Sequence, residues 1–147
     1  MKDRYLFKAK RIDNGEWVQG ALIYDNRDKL YRIITGIDYS TGTCLTTDHA
    51  PRVDSSTICS CTGLKDKNGN MVWENDIVKF NIYNYDKLKS STISQIKWCS
   101  NLYAVSLVVN DKGTRGTLGH LMELNKEVEV IGNIFDNPDL LGEGNYE

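Results

Sequence analysis

The sequence has few of the features that mark exported, membrane-bound or cross-linked proteins. It holds four cysteines and two prolines in 147 residues. Its apolar stretches, such as Tyr103–Val109, fall far short of the roughly 20 residues that a membrane-spanning helix needs. The N-terminal segment 1–7 is charged and lacks the apolar centre and cleavage site of a secretory signal. We therefore predict a cytoplasmic protein without membrane contact, whose cysteines are reduced thiols.

The chain also has little excess of either charge, since its formal net charge is −2 at pH 7. Residues 1–122 hold 17 Lys and Arg against 13 Asp and Glu, a balance of +4, whereas residues 123–147 hold one Lys against seven acids, a balance of −6. A mildly basic body is compatible with nucleic-acid contact, but strong binders usually carry a denser basic stripe. Charge alone does not support that function.

Turn signals between β-prone runs indicate a strand meander near the N-terminus. The runs Tyr5–Ile12 and Trp17–Tyr24 flank Asp13-Asn14-Gly15, a turn sequence that accepts positive φ. Such a pair of runs around such a turn is a hairpin signature. After a polar break, the aliphatic and aromatic residues of Leu30–Ile34 favour a third strand.

The central part of the chain repeats this pattern of turn and strand. Segment 35–56 is rich in turn formers, so we predict a loop with one short strand over Cys44–Thr47. Thr57–Thr62 is predicted to be extended. The polar turn Asp66–Gly69 then leads into further strand residues that end at Phe80.

The C-terminal part mixes strand and helix signals. Leu102–Val109 predicts a buried strand, and Glu127–Ile134 alternates acids with apolar residues as a half-exposed strand does. Thr117–Leu124 has roughly helical spacing and predicts at most one or two turns. The Asn-Pro step at 137–138 is a good helix start, so we expect a short helix over Asp139–Gly142.

Together these signals predict an all-β or mostly β fold with bent antiparallel sheets and one or two short helical turns. Hydrophobic residues make up 40% and charged residues 26%, as in an ordinary folded protein. We expect an N-terminal β-meander lobe over 1–60 and a β-barrel-like lobe with an acidic end over 61–147. The second lobe is expected to resemble an SH3-like barrel around Thr62–Val109, and one continuous domain is the alternative.

Three stretches, in this order and at these separations, resemble the YopX family of phage and prophage proteins. They are Phe7–Ile23 (FKAKRIDNGEWVQGALI), Cys61–Phe80 (CTGLKDKNGNMVWENDIVKF) and Val128–Leu141 (VEVIGNIFDNPDLL). Each alone is only a turn between strands, but together they span almost the whole chain. The turn residues within them are Asn14, Gly15, Gly63, Asp66, Asn68, Gly69, Glu74, Asp76, Gly132, Asn133 and Pro138.

The chain departs from the family pattern at two positions. Members usually have a tyrosine before the Thr-Gly-Leu and a glycine before the Asp-Ile-Val, where this chain has Cys61 and Asn75. Asn tolerates the left-handed conformation better than most residues, so we expect the second turn to survive. The resemblance implies a phage or prophage origin and the cytoplasm of a bacterial host. It implies no activity, which must be argued from a site.

Cysteine and histidine residues near the middle of the chain invite comparison with a zinc site. Cys59 and Cys61, with Cys44 and His49 nearby in sequence, are soft ligands of the kind that zinc takes. Structural zinc sites usually separate paired cysteines by two to four residues, and we expect these two thiols to point to opposite faces of a strand. We predict reduced core thiols and no metal.

Three alternate oxygen-bearing residues, Asp66, Asn68 and Asn70, copy the first ligand positions of a calcium loop. The rest of that loop is missing, because Met71 stands where Gly is needed and Ile77 where a bidentate Glu is needed. We predict a hairpin turn here, and no cofactor anywhere in the chain.

Glu74 and Asp76 are candidates for an acid and base pair, because nearby carboxylates can have their pKa values pushed apart. On an extended segment they share one face, but a solvated strand edge explains them equally well and no third group is identifiable. His49 and His120 lie in no recognised nucleophile motif, and no phosphate-cradling glycine loop appears. We predict that the chain is not an enzyme.

The leading hypothesis is an accessory protein that binds a host or phage protein, with homo-oligomers a further expectation because exposed sheet edges invite pairing. Asn81–Ser91 has no clear period and predicts a long exposed loop, where binding often resides. The alternative is a nucleic-acid-binding β protein whose aromatic and basic side chains stack on a single strand. The residues proposed for binding are Tyr83, Tyr85, Lys87 and Lys89.

The tryptophans have a simpler interpretation. Trp17, Trp73 and Trp98 are predicted to fill a small β core, since large aromatic side chains dominate the burial energy of such cores. Nearby lysines are expected to keep strand edges from pairing.

Overall fold

The computed structural model describes residues 5–35, 50–84, 87–98, 106–110, 113–117 and 127–142. Strands dominate these residues and pair antiparallel in two sheets, which confirms the prediction of a mostly β fold. The chain divides into two compact units, Met1–Cys61 and Thr62–Glu147, which we call the N-terminal unit and the C-terminal unit. The assignment of 1–60 and 61–147 as separate lobes stays a prediction.

The N-terminal unit is built on a strand meander. Its strands are β1 (Phe7–Lys10), β2 (Trp17–Asp25), β3 (Leu30–Ile34), β4 (Arg52–Val53) and the first residues of β5 (Cys59–Lys65), in the order β4-β3-β2-β1-β5. The hairpin at Asp13-Asn14-Gly15 and the third strand are thereby confirmed. A 3-10 turn over Ser55–Thr57 precedes β5, so the extended segment predicted from Thr57 begins too early.

The core of the N-terminal unit comes from one face of this meander. Ala9, Ile33 and Val53 are buried, with at most 1% of each residue exposed. Ala9 lies opposite Val18 across β1 and β2, and Ile33 lies opposite Leu22 across β2 and β3. Because alternate residues of a strand share a face, these cross-strand pairs form one apolar cluster.

The C-terminal unit contains the rest of the described strands. They are β6 (Met71–Trp73), β7 (Asp76–Asn84), β8 (Lys87–Trp98), β9 (Ser106–Asn110), β10 (Gly113–Thr117) and β11 (Glu129–Asn133), and a short helix, α1 (Asp139–Gly142), follows. The five-stranded sheet has the order β10-β9-β8-β7-β11, and β6 lies beside β5. The predicted short helix is confirmed, and the strand predicted over Glu127–Ile134 is confirmed as β11.

Among the described residues of the C-terminal unit, five buried apolar side chains form one hydrophobic cluster. Val72, Val78, Phe80, Ile96 and Val128 are each at most 2% exposed, and Val130 packs against them. Full burial of such side chains contributes roughly 1.5–3 kcal/mol each. Because these residues lie on β6, β7, β8, β11 and the residue just before β11, the core fixes the order in which those elements pack.

The loop predicted over Asn81–Ser91 is wrong. β7 and β8 occupy the described residues of this stretch and pair from Ile77 opposite Gln95 to Asn84 opposite Lys87, with one register shift between Ile82 and Tyr83. The polar composition suggested a loop, but backbone pairing in a long hairpin does not require apolar side chains on both faces. Residues 81–84 and 87–91 therefore lie in paired strands, and residues 85 and 86 lie outside the described part of the chain.

Other predictions lie partly or wholly outside the described residues. The strand over Cys44–Thr47 and most of the helical turns over Thr117–Leu124 belong to this group. The SH3-like barrel stays a prediction. In the described part of the chain, the helices are too short or too polar to cross a bilayer.

Candidate functional site

The first motif forms the β1–β2 turn in the N-terminal unit. Gly15 has φ +73°, a conformation that favours glycine. Its N–H donates to the Arg11 carbonyl, and the Asn14 side-chain oxygen accepts the Glu16 N–H at 2.9 Å. The predicted turn residues Asn14 and Gly15 therefore shape this corner.

A cleft of about 480 Å³ opens beside this turn. Three segments of the N-terminal unit form its walls: the end of β1 with the β1–β2 turn, the start of β3 with the residue before it, and the last residue of β4 with the two residues after it. The described lining residues are Lys10, Arg11, Ile12, Gly15, Lys29, Leu30, Tyr31, Val53, Asp54 and Ser55. The volume lies within the range of about 300–1,000 Å³ that is typical of small-ligand sites.

Backbone hydrogen bonds join two of these walls. The Ile12 N–H donates to the Arg52 carbonyl at 3.0 Å, and the Asp54 N–H donates to the Lys10 carbonyl at 2.8 Å. Between these bonds, Arg11 and Val53 form an isolated antiparallel bridge. The cleft is therefore bounded by paired backbone.

A buried ion-pair network holds the wall formed by the start of β3. The Arg32 guanidinium donates to Asp25 at 3.1 Å, to Asp28 at 2.7 Å and to the Ala50 carbonyl at 2.9 Å. Arg52 reaches the same Asp28 carboxylate at 2.9 Å. Since Lys29 follows Asp28 directly and Val53 follows Arg52, the network links two walls of the cleft.

The network depends on carboxylates that stay ionised. The pKa of Asp25 lies well below its usual range, chiefly because the Arg27 side chain donates to it, with the Arg27 N–H adding a further hydrogen bond. Burial raises the pKa of Asp28, but the Leu30 N–H and the Arg32 guanidinium outweigh this and leave it lowered. Both groups are therefore anionic at neutral pH.

The described cleft lining is mainly cationic. Lys10, Arg11 and Lys29 contribute positive charge, and Asp54 is the carboxylate among the described lining residues. The Asp54 carboxylate accepts the Ser56 N–H at 3.0 Å and the Ser56 hydroxyl at 2.7 Å, and these bonds lower its pKa. Asp13 forms a bidentate pair with Arg11 at 2.6 and 2.8 Å. The two lysines thus dominate the remaining charge.

Aromatic and basic side chains also adjoin on the β1–β2 hairpin. The ammonium groups of Lys8 and Lys10 lie 4.9 and 5.4 Å from the centroid of the Trp17 ring. Lys10 and Trp17 are register partners, and Lys8 shares their face because it lies two residues from Lys10. Trp17 is half-buried, so it serves this cation-π contact instead of filling the core as predicted.

The second and third motifs meet in the C-terminal unit, at Asp66. Its carboxylate accepts the N–H groups of Asn68 and Asn70, both at 2.9 Å, through one oxygen and that of Val130 at 3.0 Å through the other. These bonds confirm the predicted hairpin turn. Gly69 has φ +82°, and Gly63, earlier in β5, has φ +76°. The oxygen-bearing residues that resemble the start of a calcium loop therefore hold the backbone of this turn in place.

The turn between β6 and β7 is held by Asn75 and Asp76. Asn75 has φ +69°, which confirms that Asn adopts the left-handed conformation where family members have glycine. Asp76 is 3% exposed and accepts the Trp73 N–H at 2.8 Å. The interpretation of Glu74 and Asp76 as a solvated strand edge is wrong, because Asp76 is buried and Glu74 lies in the turn.

The third motif is a compact turn after β11. The Asn133 side chain accepts the N–H groups of Phe135 and Asp136 at 3.0 and 2.9 Å. A Cβ on Gly132 would lie 2.5 Å from the Asn137 side-chain oxygen, so this position requires glycine unless Asn137 moves. Pro138 lies directly before α1, and its carbonyl accepts the Leu141 N–H at 3.3 Å.

The binding residues proposed from sequence are only partly described. Lys87 is exposed at the start of β8, and the backbones of Tyr83 and Lys89 lie in β7 and β8. Tyr85 lies outside the described residues. Their role in binding stays a prediction.

The two cysteines of β5 are oriented differently from the sequence prediction. Cys59 and Cys61 are both buried, at 1% and 6% exposure, with Ser60 between them half-buried. The prediction that their thiols point to opposite faces is wrong, because residues i and i+2 of a strand share a face. Within the described residues no group of three or more His, Cys, Asp or Glu side chains is placed to hold a metal ion. Cys44 and His49 lie outside that part of the chain.

The tryptophans behave differently from one another. Trp73 is 7% exposed, as expected of a core residue. Trp98, at the end of β8, is 47% exposed, so its predicted core position is wrong. The sequence did not reveal this, because apolar and polar residues alternate in the same way at the end of a strand as at its centre. The pattern therefore does not show where the strand leaves the core.

The cleft was missed from sequence because its lining comes from three separated segments. Lys10, Lys29 and Ser55 belong to no common motif. One signal was available: opposite charges at Asp25, Asp28 and Arg32 flank a predicted turn, and such spacing brings them together across a hairpin.

Comparison with known proteins agrees with this arrangement of motifs. No curated protein matches the chain significantly. A family model described as YopX protein matches residues 6–142, nearly the whole length and all three motifs. The resemblance found in the sequence is thereby confirmed, and the chain belongs to the YopX family.

Proposed function

We propose that the protein is a non-enzymatic accessory protein, of phage or prophage origin, that binds a partner macromolecule in the bacterial cytoplasm through the cleft of the N-terminal unit. The observation that carries this proposal is the cleft itself. It is large enough for a ligand group, its walls are joined by backbone hydrogen bonds, and its charge is mainly positive. A preformed site of this kind loses little entropy on binding.

The chemistry of the lining favours binding over catalysis. Asp54, the carboxylate among the described lining residues, accepts two hydrogen bonds from Ser56 through Oδ1. Neither histidine nor cysteine is among the described lining residues. Lysine, arginine and a hydroxyl beside Leu30, Tyr31 and Val53 can bind an anionic group next to an apolar one.

The experiment compares retention of macromolecules from a bacterial lysate on immobilised protein. The cleft variant combines Lys10→Glu with Lys29→Glu. The matched control combines Lys79→Glu with Lys97→Glu, which reverses two exposed charges in the C-terminal unit. Each lysate is used with and without nuclease, so that protein and nucleic-acid partners are distinguished.

We expect at least one macromolecule to bind the wild type and the control but not the cleft variant, with direct titration of the purified partner giving the same order of affinities. Equal retention by all three proteins, or none by any, would contradict the proposal. Circular dichroism of the variants must match the wild type, so that a loss of binding reports the cleft and not unfolding.

A further inference from the structure

We infer that the ligand of the cleft is a single-stranded nucleic acid, with one nucleotide entering the cleft and the adjacent backbone following the β1–β2 hairpin. This inference rests on the proposed function and names the chemical class of its partner. The alternative anionic partner, an acidic peptide, is an outcome of the test below.

The cationic residues are placed to neutralise phosphates. Lys10 and Lys29 line the cleft from different walls, and the Lys10 ammonium group lies 5.4 Å from the Trp17 ring, at the side of the cleft that adjoins the β1–β2 hairpin. Ser55 adds a hydroxyl on the third wall. Phosphate fits such a lining because it is anionic and accepts hydrogen bonds from both ammonium and hydroxyl groups.

The apolar part of the lining suits a base. Tyr31 lines the cleft and packs edge to face on Tyr24, with ring centroids 5.0 Å apart and an interplanar angle of 60°. That contact and the adjoining core restrict the Tyr31 ring. A restricted aromatic ring beside cations is the combination that binds single strands, because every base has a face that stacks.

The β1–β2 hairpin carries a second group of cations and an aromatic ring, on the sheet face opposite that of Tyr31. Lys8 and Lys10 lie on one face of β1, about 6.8 Å apart along the strand. Trp17, which contacts both ammonium groups, lies beside them. An acidic peptide needs the cations but gains little from two aromatic rings, whereas a nucleic acid uses both.

The binding test uses the full chain and fluorescence anisotropy of labelled single strands, one of DNA and one of RNA, across a series of salt concentrations. The variants are Lys10→Gln with Lys29→Gln, and the charge-matched control is Lys79→Gln with Lys97→Gln. An unlabelled Glu-rich peptide is titrated separately. A mononucleotide serves as competitor.

We expect a strand to bind and the mononucleotide to compete. The cleft variant should raise Kd about tenfold at low salt, and lower the slope of log K against log salt by about 1.4, because each neutralised phosphate of a single strand contributes roughly 0.7. The control pair should leave both quantities unchanged. Whether the DNA or the RNA strand binds more tightly identifies the source of the phosphate.

Stacking is tested by Tyr31→Leu and Tyr31→Phe. Leucine keeps apolar bulk but removes the ring, so we expect Kd to rise about tenfold. Phenylalanine keeps the ring and should bind within about twofold of the wild type. This rescue separates stacking from a fold defect.

Three results would overturn the inference. They are absence of binding to either strand at low salt, binding that the cleft variant leaves unchanged, and binding of the Glu-rich peptide in place of nucleic acid with loss in the cleft variant. The last result would leave the proposed function standing, since the cleft would still bind a macromolecule. Failure of the lysate experiment as well would remove both.

Discussion

The Asp66 carboxylate accepts the Val130 N–H at 3.0 Å, and so joins residues 64 positions apart in the sequence. Its other oxygen accepts two N–H groups of its own turn, from Asn68 and Asn70. Next to it, the Lys67 N–H donates to the Val128 carbonyl at 2.9 Å. The second and third motifs of the family are therefore two halves of one structural feature, in which a single buried carboxylate organises a turn and a strand.

Replacement of Asp66 tests this role. In Asp66→Asn one oxygen remains for the turn, but the amide nitrogen faces the Val130 N–H and leaves a donor without an acceptor. We expect a loss of about 1–3 kcal/mol in the free energy of unfolding, measured by urea denaturation. Asp139→Asn, which changes an exposed carboxylate, should cost less than about 0.5 kcal/mol. Equal effects would contradict the role.

Acid should destabilise the protein through the same carboxylate. Burial raises the pKa of Asp66, but the N–H groups of Val130, Asn70 and Asn68 outweigh it and leave the pKa below the ordinary 3.8. The stabilisation is therefore present above the unfolded pKa and is lost as pH falls through the folded pKa. Unfolding free energy should be flat near neutral pH and fall below about pH 4. In Asp66→Asn the fall should be smaller, and an identical profile would refute this explanation.

Asn75 offers a test of backbone conformation. At φ +69° a residue with a Cβ is strained by about 1–2 kcal/mol unless it is Asn or Asp. The Asn75 side chain also accepts a hydrogen bond from Gln95 at 3.1 Å. We expect Asn75→Ala to destabilise by about 1–2 kcal/mol and Asn75→Gly to lie close to the wild type. If alanine and glycine cost the same, the side-chain bond and not φ is the determinant.

The Arg32 network is predicted to position the cleft as well as to stabilise the fold. Arg32→Lys keeps the charge but loses the planar fork that reaches Asp25 and Asp28, and Arg32→Met leaves both carboxylates without this partner. Melting temperature should fall in the order wild type, lysine, methionine. Arg27→Met, on an exposed arginine that also pairs with Asp25, should have a smaller effect.

Binding measurements on the Arg32 and Arg27 variants show whether the network positions the cleft in addition to stabilising the fold. At a temperature where all the variants are folded, Arg32→Lys should weaken binding of the single strand, because the turn that carries Lys29 is less restrained. Arg27→Met should weaken it less. Unchanged affinity in Arg32→Lys would limit the network to a role in stability.

Local turn chemistry explains most of what the sequence predicted correctly. The Asn-Gly corner at Asn14 and Gly15 gave the first hairpin, and the Asp66 turn and the Asn-Pro step before α1 were equally local. Each of these depends on a few neighbouring residues whose φ preference or side-chain acceptor is evident from residue type.

The failures came from properties that neighbouring residues do not determine. Residues 81–84 and 87–91 are mostly polar but pair as two strands, because the backbone partners of each segment lie on the other one. Trp98 is exposed because of where β8 ends. The cleft needs Lys10, Lys29 and Ser55 from three walls, and only tertiary structure brings these walls together.

The central claim is that the N-terminal cleft binds a single-stranded nucleic acid, and its most direct test is a titration of the ¹⁵N-labelled full chain with a single-stranded oligonucleotide, followed by amide chemical shifts. The account predicts the largest shifts at Lys10, Arg11, Lys29, Tyr31 and Ser55, with small changes along β7 and β8. Chemical-shift changes confined to β7 and β8, or no changes at a large molar excess of oligonucleotide, would contradict it.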